Sequence, residues 1–292
     1  MSGGPDSVAL LLLAAAACPG RVEAATVDHR LRPESAAEAA DVAALCAHIG
    51  IAHATLTPAQ PISGSVQAAA RTARYALLHD WRAARGIDWL LTAHHADDQR
   101  ETMLMRLNRS SGVGGLAGVR RVQAHLARPL LHWRHAELVD LVTAAGVDAA
   151  DDPSNRDPRY DRAAMRTALA GFDAIDPVAL SRSADALADA DAALGWMTAR
   201  LFAESSPPEQ SQFLFWNDAY PIEIKRRLLL HWLSQSDPAL APRGEQVTAL
   251  IAALDGGTAA MIGDWRLTPP RTGKTAAAAP HWRIARAPPR RR

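Results

Sequence analysis

At 292 residues with 48% apolar content, the chain can bury one large domain or two modest ones. A formal charge of +1 excludes a uniformly basic nucleic-acid binder, yet leaves room for one basic face on a balanced molecule. Two cysteines, Cys18 and Cys46, make no CxxC pair and offer neither a zinc cluster nor a disulfide framework, which points to a reducing cytoplasm.

The chain opens with SGGPDS, Ser2 to Ser7. Two adjacent glycines permit unusual dihedrals and let the backbone approach a ligand closely. Pro5 suits a first helical position. A helix starting at Pro5 or Asp6 sets unpaired N–H groups and the positive dipole end over the loop. With a hydroxyl at each end, the stretch reads as an anion pocket suited to a phosphate chain. Taken alone, it reads equally as a flexible terminus. It is not the GxxxxGK[ST] loop, and Gly273-Lys274-Thr275 fails that pattern because position 268 is Thr. The apolar run Val8 to Ala17 has the length of a signal-peptide core, but no Lys or Arg precedes it and Asp6 stands where positive charge belongs. No apolar run is long enough to span a bilayer.

The predicted elements follow in order. A helix from Pro5 to Cys18 ends at Pro19-Gly20, and a strand from Val22 to Val27 leads to Asp28-His29. A helix from Pro33 to Ile49 stops at Gly50, and Ile51 to Leu56 is a strand. After a loop from Pro58 to Gly64, Ser65 caps a helix running to about Arg85, with Gly86 beyond. A strand from Ile87 to Ala93 precedes His94-His95 and a helix from Asp97 to Asn108. This alternation predicts an α/β fold built on a doubly wound parallel sheet. Ligands bind such sheets at the carboxyl ends of strands. Ser2 to Ser7, Asp28-His29 and His94 to Asp98 all fall there or beside. A phosphate loop of this kind should follow a strand, and only Met1 precedes Ser2. The expectation is an upstream apolar strand in the natural protein. Without it the sheet lacks its first, central strand, and its neighbours keep unpaired inner edges.

TAHHADDQRET, Thr92 to Thr102, is the richest constellation. On a helix Asp97 and Glu101 share a face at i,i+4, and Asp98 and Glu101 are neighbours at i,i+3. Carboxylates at a helix start also suit its dipole, and two histidines with two aspartates can bind a transition metal. The reading taken is a pocket wall for Mg-ATP and a cationic amine, with a neutral His to take the amine's proton. SVQAAARTARYALL, Ser65 to Leu78, places Gln67, Arg71, Arg74 and Tyr75 on one broad helix side, as a solvated face or a phosphate contact. NRSSGVGGLAGV, Asn108 to Val119, is either an ordinary connection or a loop closing over a nucleotide, with Arg109 at its start. DDPSNRDPRYDRAAMR, Asp151 to Arg166, alternates four arginines with four aspartates and opens a helix, as a salt-bridged linker or an RNA contact. From about Asp173 the chain turns Ala-rich, with helical patterns at Asp176–Glu204, Pro221–Ser234 and Gly244–Leu254. A hairpin pairing Ala259–Leu267 with His281–Ala285 follows, then a loose basic tail.

SGGxDS resembles the pyrophosphate loop of the PP-loop ATP pyrophosphatases. The ordered set is similar to the tRNA(Ile)-lysidine synthetase family: SGGPDS, VDHRLRPES at Val27 to Ser35, ARTARYALL at Ala70 to Leu78, LLTAHHADDQRET at Leu90 to Thr102, RSSGVGGLAGV at Arg109 to Val119, RPLL at Arg128 to Leu131, and DPSN at Asp152 to Asn155 with Arg162 and Arg166. The likeness covers residues 2 to about 166. Ser110 stands where that family usually has Gly, Gln67 where it has Glu, and Ala163 where it has Asn. The resemblance implies a catalytic domain over 1–172 and a smaller, mainly helical tRNA-facing domain over 173–292. It implies ATP and Mg²⁺ as cofactors, and as partners free L-lysine and the isoleucine tRNA with a CAU anticodon. It assigns ATP to Ser2, Gly3, Gly4, Pro5, Asp6, Ser7, Asp28 and His29, with Asp6 also toward Mg²⁺. Catalysis falls to Asp6, His94, Asp97, Asp98 and Glu101, and tRNA to Arg71, Arg74, Arg109, Arg162 and Arg166. Two alternatives stand beside it. A tRNA thiolase of the same superfamily should carry a cysteine pair, and a non-catalytic nucleotide-binding module would not need the carboxylates at Asp97 to Glu101.

Overall fold

Helix α1 (Pro5–Ala17) begins where Pro5 fixes φ without needing an acceptor, and it buries Val8, Ala9, Leu10 and Leu11. The computed structural model to which it belongs describes residues 1–30, 35–59, 66–150, 161–205, 213–215, 219–242, 244–269 and 281–287. The DPSN stretch, the Gly273-Lys274-Thr275 stretch and the basic tail lie outside the described residues.

Strand β1 (Glu23–Val27), helix α2 (Ser35–His48) and strand β2 (Ala52–Leu56) make the first β–α–β unit. β1 and β2 pair in parallel, from Glu23 opposite Ala52 to Val27 opposite Leu56. Helix α3 (Val66–Ala84), strand β3 (Leu90–Leu91) and helix α4 (Ala96–Leu107) repeat the alternation. The expected strand over Ile87–Ala93 pairs only at Leu90 and Leu91. Its first residues are spent on finishing α3: Ile87 N donates to Arg82 O at 3.0 Å, and the Arg82 guanidinium donates to Ile87 O at 2.6 Å. Gly86, at φ +65°, makes that reversal possible.

Helix α5 (Val113–Leu116) lies inside the glycine-rich stretch, which the sequence read as a loop. Strands β4 (Val122–Gln123) and β5 (Leu126–Ala127) follow. β5 pairs in parallel with β3 and antiparallel with β4. Among the described residues no pairing joins β1 to β3. The side chains nonetheless form one cluster: Ala25 of β1, Leu78 of α3, Leu90 of β3 and Leu126 of β5. Helix α6 (His135–Ala144) covers α1, where Leu138 and Val142 meet Val8, Ala9 and Leu10. Helices α7 (Asp161–Ala168) and α8 (Pro177–Ser205) follow.

Two compact units result, Met1–Asp189 and Ala190–Arg292. The second contains strand β6 (Phe213–Phe215), helices α9 (Ile222–Ser236) and α10 (Gly244–Asp255), and strands β7 (Ala260–Ile262), β8 (Trp265–Thr268) and β9 (His281–Arg286). Its core joins Leu228, Leu229 and Trp232 of α9 to Leu250 and Ile251 of α10 and to Leu267, Trp282 and Ile284 of the sheet. The expected hairpin is one strand richer than read. β7 turns back on β8 at Gly263-Asp264, with Gly263 at φ +54°, and β9 then pairs with β8 and β6.

Candidate active site

The loop ahead of α1 folds back on itself. Ser7 N and Val8 N both donate to Gly4 O at 3.0 Å, and the Ser7 hydroxyl donates to the same carbonyl at 2.9 Å. Ser2 reaches the Ser7 hydroxyl from its N at 3.3 Å and its Oγ at 3.2 Å. Gly3 is at φ +81°, and a Cβ there would stand 3.2 Å from Val42 Cγ2. Glycine is therefore needed on both conformational and steric grounds.

The carboxylate of Asp6 lies between two imidazoles. His135 Nδ1, at the first position of α6, is 2.8 Å from Asp6 Oδ1, and His95 Nε2, at the N-cap of α4, is 3.5 Å from Asp6 Oδ2. His95 also lies 3.5 Å from Asp98 Oδ2 and 3.6 Å from Asp97 Oδ2. The α4 start is closed by His95 N donating to Asp98 Oδ2 at 3.2 Å, and His135 N donates to Asp97 Oδ2 at 2.8 Å. Asp97 thereby ties the α6 start to the α4 start. These contacts fix the charges. Burial would push His95 down, but Asp6, Asp97 and Asp98 raise it to about 10. Burial would raise Asp6, yet hydrogen bonds from His135 and His95 hold it well below the usual carboxylate range. Burial opposes Asp97 too, and His95 with the His135 N–H brings it to about 2. His135 is raised by its bond to Asp6.

His94, one residue earlier, has the opposite charge state. Burial lowers it to about 4, against the pull of Asp98 and with help from Arg128, Arg71 and Arg162. Its Nδ1 is 3.0 Å from Thr92 Oγ1. The site thus sets a neutral imidazole beside a cationic one.

Further along α4, Glu101 is 3% exposed and takes both its oxygens to Arg166 of α7, at 2.7 and 3.3 Å. Arg162 Nη2 donates to Thr102 Oγ1 at 3.1 Å. The fully buried Gln99 holds the glycine-rich segment: its amide donates to Val119 O at 3.1 Å and accepts from Val119 N at 2.7 Å. Arg106 donates to the carbonyls of Gly115 and Gly118. The segment read as a possible closing loop is therefore pinned from below.

Other expected residues stand apart. Asp28 is buried and accepts from the Ser35 hydroxyl at 2.7 Å and Arg30 N at 2.8 Å, bonds that lower its pKa. His29 is lowered by burial and by Arg74, and its Nδ1 is buried without a partner. Among the described residues no hydrogen bond or ion pair joins Asp28 or His29 to the Asp6 cluster. On α3 the Arg71 and Arg74 guanidiniums lie 5.1 and 5.5 Å from the Tyr75 ring centre. Arg109 follows the end of α4, its N donating to Arg106 O at 3.1 Å.

A cleft of about 370 Å³ opens beside Asp97 and His135, walled by Arg100, Arg134, Asp173 and Asp176. The ligand atoms of Asp6, His95 and His135 lie within 4.8 Å of one another, but His95, held cationic by its carboxylates, has no lone pair to give a metal. One carboxylate beside a phosphate loop is the donor set that Mg²⁺ uses together with nucleotide phosphates. The residues present fit that ion. His135 is the main residue missed from sequence. Arg134 N donates to Glu137 Oε2 at 2.7 Å, which closes the start of α6, although an arginine at the cap leaves no capping signature in the sequence. Nothing in the sequence marks the contact with Asp6.

The family profile described as the PP-loop domain matches residues 1–171. The chain is 43% identical over 302 residues to the tRNA(Ile)-lysidine synthase of Novosphingobium aromaticivorans, covering 100% of this chain and 89% of the relative. It is 38% identical over 301 residues to the tRNA(Ile)-lysidine synthase of Zymomonas mobilis, covering 100% and 88%. Among solved structures, the U34-tRNA thiolase NcsA from Methanococcus maripaludis with its 4Fe-4S cluster superposes with a TM-score of 0.52 at 15% identity, covering 64% of this chain and 69% of that one. That likeness concerns the fold alone.

Proposed function

The chain belongs to the tRNA(Ile)-lysidine synthase family of PP-loop proteins, and from that premise we infer that it ligates free L-lysine to C2 of the wobble cytidine of the CAU-anticodon isoleucine tRNA. Two steps account for the atoms. The C2 oxygen of the cytidine attacks the α-phosphorus of ATP, and pyrophosphate leaves. The ε-ammonium of lysine loses one proton to solvent, the free amine attacks C2, AMP leaves with that oxygen, and the nitrogen sheds a second proton.

The observation that carries this reading is the likeness to such synthases along the whole chain. The site supplies the means. Ser2 to Ser7 present backbone N–H groups, two hydroxyls and a helix start to the phosphate chain. Asp6 would hold Mg²⁺, which when bound neutralises charge on the phosphates. Asp98 and Glu101 attract a cationic amine. His94, kept neutral, can accept the proton, because the amine becomes acidic as its bond to carbon forms. Arg71, Arg74, Arg109 and Arg162 offer phosphate contacts to the tRNA. We assign catalysis to residues 1–172 and further tRNA contact to 173–292. There Trp196 is 61% exposed and Arg200 lies 5.7 Å from its ring centre, a pair suited to an unstacked base. No helix among the described residues is long and apolar enough to cross a membrane. A cytoplasmic site of work is part of the proposal, supported by its substrates, tRNA, ATP and free lysine.

A thiolase reading lacks its ligands: the sequence has two cysteines, and Cys46 is buried on α2 while Cys18 is exposed at the end of α1. ATP–pyrophosphate exchange tests the reading. Exchange that requires the tRNA supports it, and exchange that proceeds equally without tRNA counts against it.

A further inference from the structure

Glu101 is the most deeply buried of the four carboxylates at the site, and its partner is a side chain half in solvent. Arg166 Nε lies 2.7 Å from Glu101 Oε1, and Nη2 lies 3.3 Å from Glu101 Oε2 and 3.7 Å from Asp98 Oδ1. One guanidinium nitrogen therefore sits between two carboxylates spaced i,i+3 on α4. A primary ammonium, a compact point charge with three donors, would meet the same two anions there.

The two partners differ in freedom. Glu101 is fixed within α4 and cannot turn to water. Arg166 is 51% exposed and hangs from α7, which keeps other anchors in the buried Ala163 and the Arg162–Thr102 bond. Its side chain can leave while the helix stays. A carboxylate buried like Glu101 is costly without a cation, so another cation must replace the one that leaves. Phosphate is the strong competitor for a guanidinium, since its oxygens match the planar fork.

We propose that Arg166 is a resident cation in the ammonium seat formed by Asp98 and Glu101, and that it yields this seat to an amine of lysine when a phosphate group draws its guanidinium away. The proposal rests on the chain being a lysine ligase. It makes amino-acid entry follow phosphate binding, so lysine meets the site once the group it must attack is present. The phosphate has two sources, the nucleotide and the tRNA backbone.

Equilibrium dialysis of labelled L-lysine against the full chain separates them. Four arms are needed: protein alone, with a non-hydrolysable ATP analogue and Mg²⁺, with tRNA(Ile), and with both. Lysine should bind weakly to the protein alone and about tenfold or more tightly in the arm that carries the effective phosphate. Arg166→Gln, with no added phosphate, should bind lysine as tightly as that arm. Equal affinity in all wild-type arms overturns the proposal, as does a cooperatively folded Arg166→Gln that binds lysine no better than wild type alone. If the variant fails to fold, the wild-type arms decide. Failure of the functional reading looks different, because wild type would then lack tRNA-dependent pyrophosphate exchange, which failure of the proposal leaves intact.

Discussion

Replacing His95 with Gln removes the cation shared by Asp6, Asp97 and Asp98 while keeping much of the side-chain volume. The rise of His95 from 6.5 to about 10 corresponds to roughly 5 kcal/mol of preference for its charged form, at about 1.4 kcal/mol per unit. That figure is an upper bound. The three carboxylates keep 16–30% exposure, and His135, Arg100 and Arg166 remain beside Asp6, Asp97 and Asp98. A loss of about 2–3 kcal/mol at pH 7 is expected, a fall of roughly 5–10 °C in melting temperature for a unit of this size. The pH dependence is the sharper signature. A histidine whose folded pKa lies above its unfolded value contributes fully below about pH 6.5, and the contribution fades as pH rises through about 10. Calorimetric melts of wild type and His95→Gln from pH 6 to 10.5 should show a wide gap that narrows at the alkaline end. A gap independent of pH, or a variant as stable as wild type at pH 7, would refute the reasoning.

Asp6→Asn should lower tRNA-dependent pyrophosphate exchange at least about 100-fold, because it removes the one carboxylate inside the phosphate loop; exchange within a few fold of wild type would remove Asp6 from the nucleotide site. Arg71→Ala and Arg74→Ala should each flatten the dependence of tRNA affinity on log salt by about one, measured by filter binding. Gly118→Ala should cost about 2–4 kcal/mol in urea unfolding, since Gly118 is at φ +62° and a Cβ would stand 2.3 Å from Gln99 Oε1. Ser110→Gly should stabilise by about 0.5–1 kcal/mol in the same assay, because Ser110 sits at φ +53°.

Local chemistry was legible where it is written in consecutive residues. SGGPDS announced a helix start, which is present, and a PP-loop domain, whose family profile matches residues 1–171. The helices α1, α4, α9 and α10 begin and end within a few residues of their sequence signals. Strand β3 was overestimated because apolar content marks burial, while pairing depends on which backbone groups α3 has already claimed. The charge states of the site were not legible. His94 and His95 are adjacent and chemically identical, yet one is neutral and the other cationic. Burial presses both toward the neutral form; at His94 Arg128, Arg71 and Arg162, brought from distant segments, add to it and Asp98 opposes it, whereas at His95 the nearby Asp97 and Asp98 and the distant Asp6 overcome it. His135 meets Asp6 across 129 residues of sequence, a contact no local pattern records. Glu101 was read as a carboxylate waiting for an amine, and the fold gives it a guanidinium that helix spacing along α4 could not foretell.

The central claim is chemical, and mass spectrometry of the wobble nucleoside tests it most directly. Purified protein, ATP, Mg²⁺, isotopically labelled L-lysine and CAU-anticodon tRNA(Ile) are incubated, and the tRNA is digested to nucleosides. Labelled lysine should be attached through its ε-nitrogen to C2 of the wobble cytidine, with one AMP and one pyrophosphate released per lysine. An unmodified cytidine from a folded, ATP-binding protein, or the label on any other nucleoside, would contradict that claim.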